Sequence, residues 1–343
     1  MAIKRTLQQW SVEDSTELYG IRNWGAGYFG VSPEGDVVIY PSGENKGVAV
    51  SVPEVIRGMR ERGYDMPVLL RIENILDSQI TLLHESFRKA IASLGYKGEY
   101  RGVFPIKVNQ QQHTVEKIAQ FGSRFHHGLE VGSKAELISA ISQLKDPEAC
   151  LICNGYKDAN YIELALLAQK MGRRIYLVVE KLNELKLIAD IAKRIGIRPN
   201  IGIRIKLSST GSGKWSESGG DSSKFGLNSS ELLEAIAIMQ KRGIADCLKL
   251  IHFHIGSQIT KIRVIKNALR EATQFYVQLS QLGFDIDFMD IGGGLGVDYD
   301  GTRSSSSESS MNYSIQEYAN DAVSAIVEAC TKNGLRQPDI ITE

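Results

Sequence analysis

The chain has 343 residues, of which 43% are hydrophobic, and its 40 acidic and 40 basic side chains leave no formal net charge at pH 7. This length allows one large domain with an appendage, or two domains, and the charge balance gives no reason to expect nucleic acid or an anionic membrane as a partner. Four cysteines are too few for a disulfide scaffold, and no apolar run reaches the roughly 18 residues of a spanning helix, so we expect a cytoplasmic protein.

The first 98 residues are predicted to form a β-rich amino-terminal segment. Residues 1–17 mix charged and apolar side chains and lack the apolar stretch of a secretory signal. Glycine, tyrosine and β-branched residues crowd residues 20–52, which predicts strands and hairpins with a turn at 33–36. Further along, we predict a helix near 55–62, a strand near 67–72 and a helix near 80–94.

From residue 99 to residue 343, short apolar strands alternate with segments of helical spacing. The predicted strands are 102–107, 127–131, 150–153, 175–180, 200–206, 249–254, 287–291 and 339–343. The predicted helices include 134–143, 160–170, 183–194, 230–242, 262–282 and 315–333. Ser229 or Ser230 can cap one helix, and Gly172, Gly243, Gly283 and Gly334 lie where helices should stop. This alternation predicts a parallel sheet, and eight strands predict closure into an α/β, (β/α)₈ TIM barrel.

Cys150 and Cys153 form a CxxC pair inside one predicted strand. Residues three apart on a strand face opposite sides, so the two thiols cannot hold a metal ion together. Packing in the core is the favoured interpretation.

The chemistry of such barrels lies at the carboxyl ends of the strands. The polar and glycine residues there are Lys107, Glu130, Asn154, Glu180, Arg204, His254, Gly292–Gly294 and Glu343. A lysine at the mouth of a barrel is where an amine nucleophile would form a Schiff base with an aldehyde cofactor. Most such lysines are only solvated, so Lys107 alone leaves both interpretations open.

The glycine triplet Gly292–Gly294 follows the seventh predicted strand. Backbone N–H groups of such a turn can point at a phosphate, and phosphate sites near the seventh and eighth strands are common in these barrels. A bare turn is the alternative. The string GSGKW at 211–215 looks like a nucleotide P-loop, but it lacks Ser or Thr after its lysine and a glycine at the required offset. Segments 208–225 and 303–310 are predicted to be mobile, as lids or as plain surface loops.

His252 and His254 lie on one face of their predicted strand. Three interpretations stay open: a metal pair, which would need further ligands; a ring stacked on a flat cofactor beside a packing partner; and a structural histidine. Gly256 and Ser257 follow directly and favour a phosphate contact nearby.

Glu343 closes the predicted eighth strand. A carboxylate opposite a pyridine nitrogen would hold that nitrogen protonated and make the ring a strong electron sink. Decarboxylation needs such a sink because loss of CO₂ leaves a carbanion. A solvated chain end is the competing interpretation.

Several strings in this sequence resemble those of the biosynthetic arginine decarboxylase family, which belongs to the alanine-racemase-like, fold-type III class of pyridoxal 5'-phosphate (PLP) enzymes. The strings are FPIKVN (104–109), GLEVGSKAEL (128–137), CNGYKD (153–158), GSGKW (211–215), HFHIGSQ (252–258) and DIGGGLGVDY (290–299). The resemblance runs through nearly the whole chain. It implies a TIM barrel of the alanine-racemase-like type and the conversion of L-arginine to agmatine and CO₂ for polyamine synthesis.

The resemblance also implies roles for individual residues. The catalytic residues would be Lys107, which would form the Schiff base, and His254, which would stack on the pyridine ring. The other cofactor contacts would be Ser257 and Gly292–Gly294 at the phosphate, Glu343 at the ring nitrogen, and Glu130 and Arg204 along the pocket. The predicted substrate contacts are Asp290, Gly296, Asp298 and Tyr299.

The family continues past the position of Glu343 with a β-rich carboxy-terminal domain, so we expect this chain to be an amino-terminal portion. In this class the active site is completed across a dimer interface by a cysteine and an acidic residue of that domain. We therefore expect a homo-oligomer when the protein is complete, a small-molecule substrate, Mg²⁺ as an additional requirement, and little activity from this portion alone.

Three alternatives stay open. A diaminopimelate- or ornithine-type decarboxylase of the same class is disfavoured by the long amino-terminal segment and by the HFHIGSQ and GSGKW strings. The others are a PLP-binding barrel without decarboxylase activity and a metal hydrolase built on the HxH pair.

Overall fold

The computed structural model of the chain describes residues 10–43, 47–208 and 224–343. It divides into two compact units, Met1–Gln79 with Asp298–Arg303, and Ile80–Val297 with Ser304–Glu343. The predicted domain boundary at residues 98 and 99 stays a prediction. The GSGKW string at 211–215, and most of the segment 208–225, lie outside the described residues.

The first unit contains a small antiparallel sheet, β1 (Phe29–Val31), β2 (Val37–Ile39) and β3 (Val50–Ser51). Its helices are α1 (Val12–Leu18), α2 (Ile21–Gly25) and α3 (Val52–Glu61). The predicted turn at 33–36 is confirmed, and the Ser32 N–H donates across it to the Asp36 carbonyl over 2.8 Å. The strand predicted near 67–72 is wrong. An extended segment becomes a strand only where a neighbour completes its hydrogen-bond ladder, and that segment joins neither sheet.

The second unit contains a closed barrel of eight parallel strands, which confirms the predicted TIM barrel. The strands are β4 (Tyr100–Pro105), β5 (Gly128–Val131), β6 (Cys150–Cys153), β7 (Arg174–Val179), β8 (Ile201–Arg204), β9 (Leu248–His252), β10 (Phe288–Asp290) and β11 (Asp339–Thr342). Strand β11 pairs with β10 on one side and with β4 on the other, so the last strand closes the barrel onto the first.

Helices alternate with these strands. They are α4 (Glu73–Leu94), α5 (Gln112–Gly122), α6 (Lys134–Gln143), α7 (Ala159–Lys170), α8 (Leu182–Ile195), α9 (Ser229–Lys241), α10 (Ile262–Gln281) and α11 (Ile315–Asn333). All six helices predicted between the barrel strands are confirmed to within one residue at each end. Across the described ranges, every helix is too short or too polar to cross a membrane.

The ends of the helices follow local side-chain chemistry. The N-cap of α9 is Asn228, not Ser229 or Ser230 as predicted. Asn228 Oδ1 accepts the Glu231 N–H over 2.9 Å while the Glu231 carboxylate accepts the Asn228 N–H, and this reciprocal pair fixes the start of the helix. The predicted glycine stops are confirmed, as at Gly334, whose φ of 64° ends α11 in the left-handed region.

The barrel is filled by side chains rather than hollow. Its interior cluster consists of Val103, Cys150, Ile152, Tyr176, Val178, Leu250, Phe288 and Ile341. A larger cluster joins the strands to the surrounding helices. Cys150 belongs to the interior cluster and Cys153 to the larger one, and both thiols are free and fully buried. The CxxC pair therefore packs in the core, as predicted.

Four candidate site residues lie beyond the strands to which the sequence assigns them: Glu180 and Glu343 by one residue, Lys107 and His254 by two. Strand β4 ends at Pro105, and Lys107 lies in the 3₁₀ turn Ile106–Val108. Proline has no N–H, so the ladder cannot continue through it. Strand β9 ends at His252, and His254 lies two residues further on.

Candidate active site

The reactive lysine candidate meets a buried carboxylate at the carboxyl end of the barrel. Lys107 Nζ donates to Glu130 Oε2 over 3.1 Å. Glu130, on β5, is fully buried, whereas 55% of the Lys107 side chain is exposed. Burial works to lower the pKa of Lys107, but the carboxylates of Glu130 and Glu343 outweigh it and raise that pKa. Lys107 is therefore an ammonium group at neutral pH that remains reachable from solvent.

Asn154 connects this carboxylate to Glu343. It follows β6, and its Nδ2 donates to Glu130 Oε1 over 2.9 Å and to Glu343 Oε1 over 2.6 Å. Ionised carboxylates only accept hydrogen bonds, so this orientation of the amide is the one that satisfies both. A continuous hydrogen-bonded path thus runs from Lys107 to Glu343. The sequence places Asn154 at the rim but does not predict the bridge, because the amide could turn to any neighbouring strand end.

Glu343 faces a second buried carboxylate across an imidazole ring. His252 Nδ1 lies 3.0 Å from Asp290 Oδ2 and 3.9 Å from Glu343 Oε1, and all three side chains are at most 3% exposed. Burial raises the pKa of both carboxyl groups and lowers the pKa of His252. Glu343 is therefore part of a buried, proton-binding group rather than a solvated side chain.

His254 is an uncharged ring at neutral pH. Burial, and then the positive charge of Arg204, lower its pKa to about 3. Its Nδ1 is buried and has no hydrogen-bond partner within the described ranges.

His254 does not join His252 in a metal pair. In the part of the chain that the structure describes, the side chains close enough to share an ion are those of His252, Asp290 and Glu343.

The glycine triplet packs against the loop that follows β9. A Cβ atom on Gly294, whose φ is +90°, would overlap the Gly256 carbonyl oxygen, and one on Gly293 would collide with the backbone of Glu343. Only glycine fits these approaches, and they bring Ser257 and Glu343 close to the triplet. Among the described residues, the N–H groups of Gly293 and Gly294 have no acceptor. The triplet therefore has both a packing role and donors free for an anion.

Arg204 supplies a fixed positive charge at the end of β8. Its Nη1 donates to Glu180 Oε1 over 3.3 Å, and the same oxygen accepts the Gly155 N–H over 3.1 Å. The guanidinium carbon also lies 5.3 Å from the centre of the Phe225 ring. These contacts hold Arg204 from two sides.

A buried ion pair that the sequence does not predict supports this region. The Lys157 side chain is fully buried, with Nζ 3.6 Å from Glu184 Oε2 and donating to the carbonyls of Gly155 and Val178. The Glu184 carboxylate also accepts the N–H groups of Lys157 and Glu180. The pair thus positions Gly155 and Glu180, and Glu180 in turn accepts the hydrogen bond from Arg204. A lysine in a strand-end loop is normally solvated, so only the structure identifies it.

The four predicted substrate contacts divide between the two units. Asp290 is fully buried, and its Oδ1 accepts the N–H two residues further on over 2.9 Å. The buried Gly296 N–H donates to the Tyr313 hydroxyl over 2.9 Å. Asp298 and Tyr299 belong to the first unit. The role of these four residues in substrate binding stays a prediction.

Unpaired polar atoms indicate that the barrel mouth is built to hold a ligand. Within the described ranges, buried atoms without a hydrogen bond include His254 Nδ1, Asn154 Oδ1 and Glu180 Oε2. Leaving such an atom unpaired costs about 1–3 kcal/mol. Together with an exposed amine, free glycine N–H groups and a buried carboxylate, these atoms fit a cofactor that carries an aldehyde, a phosphate and a basic ring nitrogen, as PLP does.

Known proteins resemble the chain over nearly its whole length. Residues 78–343 match the family described as pyridoxal-dependent decarboxylase, pyridoxal binding domain. The biosynthetic arginine decarboxylase of Bacteroides thetaiotaomicron is 58% identical over 337 residues, which are 98% of this chain and 53% of that protein. The crystal structure of the biosynthetic arginine decarboxylase from Campylobacter jejuni matches with a TM-score of 0.85 at 36% identity, covering 95% of this chain and 52% of the other.

A second kind of decarboxylase is a more distant match. Diaminopimelate decarboxylase from Helicobacter pylori, complexed with L-lysine, gives a TM-score of 0.62 at 26% identity over 78% of this chain and 61% of that one. The chain spans about half the length of the curated relatives it matches. Since the matched pyridoxal binding domain makes up most of the sequence, the chain belongs to the pyridoxal-dependent decarboxylase family.

Proposed function

We propose that the protein is the PLP-binding portion of a cytoplasmic enzyme that decarboxylates L-arginine to agmatine and CO₂ for polyamine synthesis. The observation that carries the proposal is the hydrogen-bonded path from Lys107 through Glu130 and Asn154 to Glu343. It is supported by 58% identity to a biosynthetic arginine decarboxylase. The path joins the amine expected to hold the cofactor to the carboxylate expected at its ring nitrogen.

The residues suited to hold PLP surround this path. Lys107 would bind its aldehyde, Gly292–Gly294 and Ser257 its phosphate, Glu343 its ring nitrogen and His254 its ring face. Bound PLP supplies an electron sink for the electron pair left on the α-carbon when CO₂ departs. Arg204, with Glu180 and Phe225, would brace the pocket.

The proton on Lys107 controls its reactivity. Its Nζ is an ammonium group and must lose a proton before its lone pair can attack a carbonyl carbon. Glu130 Oε2 is the hydrogen-bonded acceptor at 3.1 Å. Asn154 holds the other oxygen of that carboxylate, which keeps Oε2 turned toward the lysine. His254, with its pKa lowered to about 3, presents an uncharged ring and adds no proton of its own at neutral pH.

The Mg²⁺ requirement implied by the resemblance stays a prediction. The cluster of His252, Asp290 and Glu343 contains one imidazole and is almost fully buried. Mg²⁺ prefers six oxygen ligands and usually keeps several waters. Of the side chains that the structure describes, those that cluster in this way therefore do not suit it.

Cofactor binding is the first test. After PLP is added, wild-type protein should develop an absorbance band at about 420 nm. Lys107→Ala should lack this band because the amine that would react with the aldehyde is gone. Lys134→Ala is a matched control, since Lys134 is an exposed lysine paired with Asp158 over 2.6 Å. It should keep the band. A band of equal intensity in Lys107→Ala would contradict the proposal.

A second candidate function is a catalytically incomplete PLP-binding barrel. It is favoured because the chain spans about half of its relatives' length.

The second test measures which substrate is decarboxylated. CO₂ release should be measured with arginine, ornithine, lysine and diaminopimelate, with and without the carboxy-terminal half of the Bacteroides relative. We expect a homo-oligomeric, arginine-specific enzyme only when both halves are present. Release from another substrate, or robust agmatine formation by this chain alone, would contradict that expectation.

A further inference from the structure

Three adjacent barrel strands deliver three titratable side chains to one buried point. His252 ends β9, Asp290 ends β10 and Glu343 follows β11, and these strands are neighbours in the barrel. His252 and Asp290 are direct partners in the register of their strands. The group therefore follows from barrel closure, and its geometry does not depend on a flexible loop.

The imidazole is placed to share a proton with Asp290. Nδ1 lies 3.0 Å from Asp290 Oδ2, and the side chains are 1% and 0% exposed. Asp290 Oδ1 already accepts the Gly292 N–H over 2.9 Å, so Oδ2 is the oxygen left for the ring. Among the described residues both ring nitrogens and Asp290 Oδ2 lack an aligned hydrogen bond, so the 3.0 Å contact joins two atoms that have no hydrogen bond to any other group. A charge on either group must be balanced inside the protein because water cannot reach it.

The surrounding charges determine how many protons this group can hold. Lys107 is paired with Glu130, and Arg204 with Glu180. Both cations near the group are thus already balanced. Two adjacent buried carboxylates do not both ionise without compensation. The groups that face the three side chains are the charged Lys107, Glu130, Glu180 and Arg204, and the neutral His254, Tyr318 and Cys150.

We propose that Asp290 and His252 hold one shared proton and form a neutral pair, which leaves Glu343 as the single buried anion at this end of the hydrogen-bonded path. The proton lies on Asp290 Oδ2 or on His252 Nδ1, and either arrangement gives the pair no net charge. His252 is thus a positioning residue that acts on the cofactor through Glu343. This inference rests on the proposed function only in assigning Glu343 to the cofactor's ring nitrogen.

The neutral pair matters because Glu343 must be ionised to hold a ring nitrogen protonated. An ionised Asp290 beside it would raise the pKa of Glu343, and a shift of one pKa unit corresponds to a factor of about ten in the protonation equilibrium. Sharing the proton with His252 removes that opposing charge. Asn154, which donates to Glu343 Oε1, then stabilises the remaining anion.

A cofactor-free measurement tests the shared proton directly. In the full chain, ¹H NMR should show one strongly downfield proton that correlates with the ring nitrogen of His252. The signal should disappear in Asp290→Asn, whose amide oxygen can still accept the Gly292 N–H, and in His252→Gln. Absence of the signal from wild-type protein would overturn the inference, so the test does not depend on any variant folding.

A double-mutant cycle on PLP affinity tests the effect on Glu343. His252→Gln should weaken the Kd about tenfold, and increasingly so as the pH rises, because Asp290 then ionises alone. When His252→Gln is combined with Asp290→Asn, the Kd should recover to within about threefold of that of Asp290→Asn alone, since the charge that His252 neutralises is gone. A merely structural role of His252 predicts no such recovery.

The outcomes separate the two proposals. If wild-type protein binds PLP but the losses in the cycle are additive and independent of pH, the role of His252 is overturned and the proposed function stands. If wild-type protein binds no PLP, the proposed function fails, and the assignment of Glu343 fails with it.

Discussion

Replacing Asn154 tests the hydrogen-bonded path on which the proposed cofactor site depends. Its Nδ2 donates to Glu130 over 2.9 Å and to Glu343 over 2.6 Å, and alanine would remove both donors. A hydrogen bond contributes about 1.5–3 kcal/mol when one partner is charged and about 0.5–1.5 kcal/mol when both are neutral. Glu130 is paired with the Lys107 ammonium group, and the neutral Asp290–His252 pair leaves Glu343 as an anion, so we count two bonds to charged partners. The free energy of unfolding should therefore fall by about 3–6 kcal/mol in Asn154→Ala.

Asn154→Asp has nearly the same shape but makes the loss depend on pH. Its carboxyl group would be buried between two others, so its folded-state pKa lies above the unfolded value of about 3.9. Below the unfolded pKa the group is protonated in both states and can donate a hydrogen bond. As the pH rises through the folded-state pKa, that stabilisation is lost. The free energy of unfolding should thus fall further behind wild type between about pH 5 and about pH 8.

Urea unfolding followed by circular dichroism measures both effects. Asn160→Ala is the matched control, because Asn160 is exposed in α7 and its replacement should change the free energy of unfolding by less than about 0.5 kcal/mol. A loss under about 1.5 kcal/mol in Asn154→Ala would refute the bridge, since that is less than a single bond to a charged group contributes. A loss in Asn154→Asp that is the same at both pH values would refute the buried placement of the new carboxyl group.

Three further predictions concern the support of the site. Lys157→Met should lower the free energy of unfolding in urea by about 3–5 kcal/mol, because it leaves a buried carboxylate unpaired, whereas Lys134→Met should cost less than about 1 kcal/mol at its exposed pair. Gly294→Ala should abolish PLP binding, since its Cβ would overlap a backbone carbonyl; an unchanged Kd would contradict this. Burial lowers the pKa of His84 to about 3 and of His127 to about 4. As the pH falls below about 6.5, these histidines therefore bind protons in the unfolded chain before they do in the folded one, and the free energy of unfolding declines. Replacing His84 with Gln should flatten that decline in urea titrations between about pH 4 and about pH 7.

The barrel could be predicted because its elements are set by local patterns. Helical spacing and glycine stops gave the helices between the barrel strands to within one residue. The predictions were wrong where the structure of a segment depends on a contact with a second segment or side chain. The segment 67–72 has strand-like residues but joins no sheet, and Asn228 caps α9 in place of the adjacent serines because Glu231 completes the reciprocal pair.

The candidate site could be predicted as a set of residues but not as a network. Strand-end positions identify Lys107, Glu130 and Glu343, since parallel strands of a barrel bring their carboxyl ends together. Which donor satisfies which carboxylate depends on side-chain torsions and burial, which spacing does not encode. Asn154 as a bridge and Lys157 as a buried cation therefore emerge only from the structure.

Barrel closure and the candidate chemistry depend on the same strand. Thr342 of β11 pairs with Gly102 of β4, and Ile341 pairs with Asp290 of β10. Glu343 therefore lies between the strand that leads to Lys107 and the strand that leads to the glycine triplet, and its N–H donates to the Gly292 carbonyl over 2.9 Å. Any change that detaches β11 would separate the amine from the carboxylate proposed to hold the ring nitrogen at the same time as it opens the barrel. Loss of PLP binding should thus coincide with opening of the barrel for substitutions that detach β11, whereas Lys107→Ala removes the amine, leaves Glu130 without its cation and keeps the strand ladder intact.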